Sequence, residues 1–200
     1  MAVPQTDILD DFNRADGPLG SNWTDPWNTS EGGSVVISTS EARFVPTGGG
    51  KYTYWNGTAF GPNCEAYGKI TSAPISSISF FVRSQPDSTN GANGYLLQFV
   101  PGAAPRQSIY RVDNGTWTRL GADLSTSSAL SGLVATLLAV GDSLSGWYDG
   151  SQIGTSRSDS TYTAAGYIGM GSQGNTGSRV DDFGGGSIVN VIAKSGSAAA

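Results

Sequence analysis

Apolar and polar residues alternate in short runs along the whole chain, each run bounded by Gly, Asn, Asp or Pro. No stretch keeps a helical period over the length of a typical helix. The runs predict strands at Asp7 to Phe12, Ser34 to Ser38, Ala42 to Val45, Lys51 to Trp55, Glu65 to Thr71, Ser77 to Ser84 and Gly94 to Val100. They continue at Ser108 to Val112, Thr116 to Leu120, Leu133 to Val140, Ser143 to Tyr148, Ser151 to Ser156, Gly166 to Gly171 and Asp181 to Val189. A total of about fourteen is a jelly-roll number and too many for an immunoglobulin domain. The one segment of helical length, Ala129 to Val140, is interrupted by Gly132, Val134 and Thr136, and a buried strand accounts for its apolar run.

Turn chemistry orders some of these strands. Asp113-Asn114-Gly115 lies between SIYRV and TWTRL, and Asp149-Gly150 between LSGWY and SQIGTS. Both sequences accept the positive φ of tight hairpin turns. Gly141-Asp142 makes a third turn, so Leu133 to Ser156 forms a three-stranded antiparallel meander.

Composition narrows the class. Gly accounts for 29 of 200 residues and charged residues for only 14%, which suits many short strands joined by tight polar turns rather than long amphipathic helices. A net charge of −5 with scattered Lys and Arg argues against a nucleic-acid partner. The chain has no His, which removes Ser-His-Asp and Cys-His nucleophile arrangements and His-based metal sites. Its single cysteine, Cys64, has no partner for an internal disulfide and reads as a small buried apolar residue. The N-terminus has neither a basic start nor an apolar core, so it does not read as a signal peptide, and no stretch reaches membrane-spanning length. One domain over residues 1–193 is expected, with 194–200 (KSGSAAA) a short flexible or assembly-docked tail.

The opening LDDFNRADGPLGSNWT, residues 9–24, resembles the first strand and following turn of concanavalin A-like lectin/glucanase (laminin-G-like) domains. It has the form found in bacterial surface proteins and bacteriophage minor tail proteins. WYDGSQIG (147–154), GYIGMGS (166–172) and VDDFGGG (180–186) resemble that family's late hairpin, penultimate strand and last strand. The resemblance implies an all-β fold, a two-sheet antiparallel β-sandwich of the concanavalin A-like jelly-roll type, whose first and last strands pair. LDDF at 9–12 and VDDF at 180–183 would then put Phe12 and Phe183 into one core. The carboxylates beside them read as a solvated edge, with a bound cation as the alternative.

Relatives of this kind include glycoside hydrolases, which need two carboxylates flanking the scissile bond. The only glutamates are Glu31, Glu41 and Glu65, none with an acidic residue at the required spacing, and Asp10-Asp11 and Asp181-Asp182 alternate faces on a strand. A non-enzyme is expected. Sugar-binding surfaces instead use exposed aromatic rings beside polar groups. Trp27, Tyr54, Trp55 and Trp117 sit in polar, turn-rich surroundings and are the candidate carbohydrate-binding residues, against the reading that they close the core. Alternation in KYTYWNG sends Tyr52 and Tyr54 to one face and Trp55 to the other. Laminin-G-like relatives often hold calcium at the sandwich rim, which makes Asp87 and Asp113 the candidate calcium ligands.

The resemblance implies a virion structural protein, a minor tail or decoration protein, with other virion proteins and copies of itself as partners and host-surface glycans as ligands. The alternatives are a free-standing extracellular carbohydrate-binding lectin of a bacterium and, third, a glycoside hydrolase.

Overall fold

A computed structural model describes residues 2–24, 33–47, 50–72, 77–87, 91–127, 131–174 and 177–189, with the side chains of 86–87 and 91–92 outside the description. These residues form strands and no helix. In chain order the strands are β1 (Ile8–Asp10), β2 (Gly17–Pro18), β3 (Trp23–Thr24), β4 (Gly33–Ile37), β5 (Ala42–Pro46), β6 (Gly50–Trp55), β7 (Cys64–Ser72) and β8 (Ile78–Asp87). Then come β9 (Gly91–Val100), β10 (Arg106–Asp113), β11 (Thr116–Arg119), β12 (Val134–Val140), β13 (Ser143–Tyr148), β14 (Ser151–Ser158), β15 (Tyr167–Gln173) and β16 (Arg179–Ser187).

They build two antiparallel sheets. One has nine strands in the order β14-β13-β12-β7-β16-β5-β4-β2, with β1 also paired to β16; the other has seven, β11-β10-β9-β8-β15-β6-β3. The expected two-sheet sandwich is the architecture. The segment singled out for its helical length supplies β12, the first strand of the predicted meander β12-β13-β14.

The turns form where their residues place them. Asn114 and Gly115 take φ of 46° and 80°, and Asp149 and Gly150 take 43° and 78°, the paired positive values of a hairpin turn whose twist matches its strands. Gly141, at φ 59°, opens the turn between β12 and β13. Alternate residues of facing strands fill the space between the sheets: Ile78, Phe80 and Val82 of β8 and Leu97 and Phe99 of β9 meet Ala66 and Ile70 of β7 and Leu137 of β12. Burying each of the larger side chains stabilises the fold by about 2 kcal/mol. Cys64 is fully buried among them, and burial pushes its thiol up to about 11.

The first and last described strands pair, Ile8 opposite Gly184 and Asp10 opposite Phe183. Phe12 and Phe183 are fully buried and both meet the Trp23 ring, at 6.1 and 4.9 Å. The reading of the neighbouring carboxylates as a solvated edge fails at Asp10. Its side chain is 8% exposed and accepts from Arg14 Nη1 (2.6 Å) and Nη2 (2.9 Å), Trp23 Nε1 (2.8 Å) and the Phe12 amide (2.9 Å). Burial alone would raise the acid's pKa, but these donors hold it below the usual carboxylate range. The cation contemplated for this corner is supplied by the chain, as Arg14. Asp11 is exposed and caps the Asn13 amide, while Asp181 and Asp182 are half-buried. The expected tail at 194–200 lies outside the described residues.

Candidate functional site

The outer face of the seven-stranded sheet carries a second apolar layer. Tyr52 of β6, Phe81 of β8, Leu96 of β9 and Val112 of β10 are buried there, with Tyr54, Tyr110 and Trp117 packed against them. Tyr52 and Trp117 stand on strands five places apart in the sheet order, about 24 Å if the sheet were flat. Their ring centroids are nevertheless 5.9 Å apart. This face is therefore concave, curled until its edge hairpin approaches β6, next to the opposite edge. Gly171 makes room for the Tyr52 ring, since a Cβ at that position would lie 2.0 Å from Tyr52 Cδ1.

Local sequence sets the groove at the edge of this face. The two-residue Asn114-Gly115 turn fixes the β10–β11 register, with Val112 opposite Trp117 and Tyr110 opposite Arg119. Alternation then puts Arg106, Ser108, Tyr110 and Val112 on the concave side with Trp117 and Arg119. After β11 the chain doubles back, its Leu124 amide donating to Gln107 O (2.7 Å) and the Gln107 amide to Ser125 O (2.9 Å). That return lays Asp123 beside Ser108.

The result is an open groove of about 670 Å³ whose lining includes Tyr110, Trp117, Arg106, Arg119, Asp123 and Thr126. A groove of this size is in the range of small-molecule sites. Trp117 is half-buried, and Tyr52 and Tyr110 meet it at 65° and 61°, so neither lies parallel over the indole. Asp123 Oδ1 accepts from Ser108 Oγ and from Arg119 Nη1 (2.9 Å). The Ser108 bond and the neighbouring arginines hold this carboxyl below its ordinary range. Both donors fall on one oxygen. Among the described residues, Asp123 Oδ2, the Tyr110 hydroxyl, Trp117 Nε1 and the Arg106 guanidinium make no hydrogen bond, so the groove offers an aromatic surface ringed by uncommitted donors and acceptors.

The other sequence candidates divide. Tyr54 lies on the concave face too, its ring 4.8 Å from that of Tyr167, packed against the same apolar layer as Trp117 but not lining the groove. Trp55 turns the opposite way, into the main core against Trp23 (5.6 Å), so it is a packing residue. Trp27 lies outside the described residues. Tyr110, Arg106, Arg119 and Asp123 were not among the sequence candidates, although the Asp-Asn-Gly turn predicts the face that Tyr110 and Arg119 share with Trp117.

Asp113 sits at the rim with both oxygens engaged, accepting from Arg111 Nε (2.7 Å) and the Tyr162 hydroxyl (2.7 Å). A calcium ion there would displace a guanidinium, so Asp113 as arranged does not fit a calcium ligand. Asp87 ends β8 opposite Gly91, and its side chain lies outside the description. Among the described residues no three carboxylate or thiol groups converge as a metal site.

Nor do the glutamates converge. Glu65 is buried under the N-terminal segment on the nine-stranded sheet, accepting from the Gln5 and Thr6 amides and Thr6 Oγ1. Glu41 pairs with Arg179 at 3.2 Å, and Glu31 lies outside the described residues.

No protein-family model and no curated protein matches the sequence. Solved structures do match the fold. A carbohydrate binding module, CBM66 from Bacillus subtilis, aligns with a TM-score of 0.59 at 14% identity over 85% of this chain and 98% of its own. The carbohydrate recognition domain of Emp46p in its potassium-bound form aligns at 0.63 and 10% identity, over 91% and 97%. The exoplasmic/lumenal domain of VIP36 in its Ca2+/Man3GlcNAc-bound form aligns at 0.58 and 11% identity, over 84% of both chains. These likenesses show the fold alone, a two-sheet sandwich of the galectin-like and concanavalin A-like type, of which the sequence resemblance implied the concanavalin A-like form.

Proposed function

We propose that this chain is a non-catalytic carbohydrate-binding protein and that its ligand lies in the concave groove beside Trp117. The observation that carries the reading is the arrangement around that indole: a half-buried aromatic plane with Tyr110, Asp123 Oδ2 and Arg106 beside it, none of them spoken for by the fold. Sugars present an apolar ring face and a rim of hydroxyls, which such a surface satisfies by stacking and by hydrogen bonds. Carbohydrate binding in the structural neighbours supports the same reading.

The groove holds one carboxylate, Asp123, tied to Ser108 and Arg119, whereas hydrolysis by paired carboxylates uses two across the glycosidic bond. Binding without cleavage is the chemistry this arrangement supports. The virion role draws on the sequence resemblance alone, and the groove favours the lectin-module alternative over it. Calcium enters the proposal at no step, since Asp113 is already neutralised by Arg111.

A glycan array followed by calorimetry on the best ligand tests the proposal. Binding to at least one oligosaccharide is expected, weakened tenfold or more by Trp117→Ala with the circular dichroism spectrum retained. No binding to any glycan, or binding indifferent to Trp117, overturns it.

A further inference from the structure

We infer that the groove selects an anionic glycan, a sugar chain carrying a carboxylate or sulfate, and that Arg106 is the residue that recognises the charge. This rests on the carbohydrate-binding reading above and names the class of ligand.

The distribution of arginine partners carries the argument. Arg14, Arg111, Arg119 and Arg179 each grip a carboxylate: Asp10, Asp113 with Asp159, Asp123, and Glu41. Arg83 donates to the carbonyls of Pro62, Gly141 and Tyr162, and Arg157 to those of Thr155 and Ala122. Among the described arginines only Arg43 and Arg106 have neither kind of partner, and Arg106 lines the groove. In a chain of net charge −5, a guanidinium that lines an aromatic groove with no direct bond, acting on Asp123 only through space, is a feature that folding does not explain.

The local charge points the same way. The groove brings together two arginines and one aspartate, an excess of one positive charge against the sign of the whole molecule. Asp123 cancels Arg119, whose Nη1 it holds, while the remaining guanidinium N–H groups of Arg119 stay available. Neutral sugars require acceptors and donors but no net charge. A planar, permanently charged fork matches a carboxylate or sulfate through two parallel hydrogen bonds, which an amide cannot reproduce.

The test uses the full chain and three oligosaccharides of equal length: an oligogalacturonate (carboxylate, no sulfate), a carrageenan oligosaccharide (sulfate, no uronate) and a neutral cello-oligosaccharide. One of the acidic probes is expected to bind at least tenfold tighter than the neutral one, the difference between the two acidic probes identifying the anion, and the margin is expected to shrink as salt rises. Arg106→Gln should bring the acidic-to-neutral ratio within about twofold. Arg43→Gln, equally unpaired but on β5 of the other sheet, should leave that ratio as in the parent. Equal affinity for acidic and neutral probes, or a preference that survives Arg106→Gln, overturns the inference while leaving carbohydrate binding standing. Failure of every probe, neutral included, together with a blank glycan array, overturns both.

Discussion

Arg14 holds Asp10 through two parallel bonds, Nη1 to Oδ1 at 2.6 Å and Nη2 to Oδ2 at 2.9 Å, and its guanidinium carbon sits 5.9 Å from the centre of the Phe12 ring. Its Nη2 also donates to Leu19 O at 2.6 Å, so one side chain ties β1 to the turn before β3.

Asp10→Asn is therefore expected to destabilise the fold by about 3 kcal/mol, because it leaves Arg14 without its partner charge at a corner closed by Trp23. Urea denaturation measures it. Asp10 has a folded pKa below its unfolded value, so its contribution is present above the unfolded value near 3.8 and is lost as pH falls through the lower one. An acid transition beginning below about pH 4 that is blunted in the Asn variant is the expected signature.

Arg83 is fully buried with a guanidinium spread over three carbonyls, Pro62 O at 2.6 Å, Gly141 O at 2.6 Å and Tyr162 O at 3.0 Å. Those carbonyls belong to three different connections at one end of the sandwich. Arg83→Met should cost roughly 3 kcal/mol, since the carbonyls lose their donors, and Arg83→Lys should recover only part of it, because a single ammonium cannot reach all three. Hydrogen exchange would show faster opening around residues 62, 141 and 162 together, and protection unchanged at all three would refute the account.

The loop after β14 should respond to pH from both sides. Burial would raise Asp159, but Tyr95, Thr161 and Arg111 hold it at about 2. Its stabilising contribution is complete above the unfolded value near 3.8 and disappears as pH falls toward 2. Burial pushes Tyr95 and Tyr162 up to about 12, each reinforced by a carboxylate. Their contribution is complete below the ordinary phenol value near 10 and is lost as pH rises toward 12. Spectrophotometric titration of the phenols should show tyrosines ionising late in the native protein, and Asp159→Asn should move some of them down.

Gly171→Ala tests the floor of the concave face. The added methyl would stand 2.0 Å from Tyr52 Cδ1, so the tyrosine must move and Trp117 loses its neighbour. A stability loss of about 1–3 kcal/mol is expected, together with weaker glycan binding at a temperature where the variant is still folded. Unchanged affinity in the folded variant would separate Tyr52 from the groove.

Much of the fold was legible because its signals are local. Asn114-Gly115 and Asp149-Gly150 fix turn type and thereby register, and alternation assigned Tyr52 and Tyr54 to one face and Trp55 to the other, as found. The LDDF and VDDF segments announced that Phe12 and Phe183 share a core, yet their carboxylates read as a solvated edge without Asp10 being set apart, because its burial depends on Arg14 and Trp23 closing over it. The groove was less legible. It arises from curvature that brings Trp117 across the sheet to Tyr52 and from a chain reversal that delivers Asp123, and neither leaves a periodic trace. Arg106 and Arg119 looked like any other scattered charges until their partners could be compared.

The pairing of β1 with β16 also separates the two ends of the described chain from the groove. The first and last described strands both lie in the nine-stranded layer, while the groove opens on the outer side of the seven-stranded one. The groove proposed for the glycan and the paired strands β1 and β16 therefore lie in different layers of the sandwich, so a ligand seated beside Trp117 leaves the β1–β16 ladder untouched.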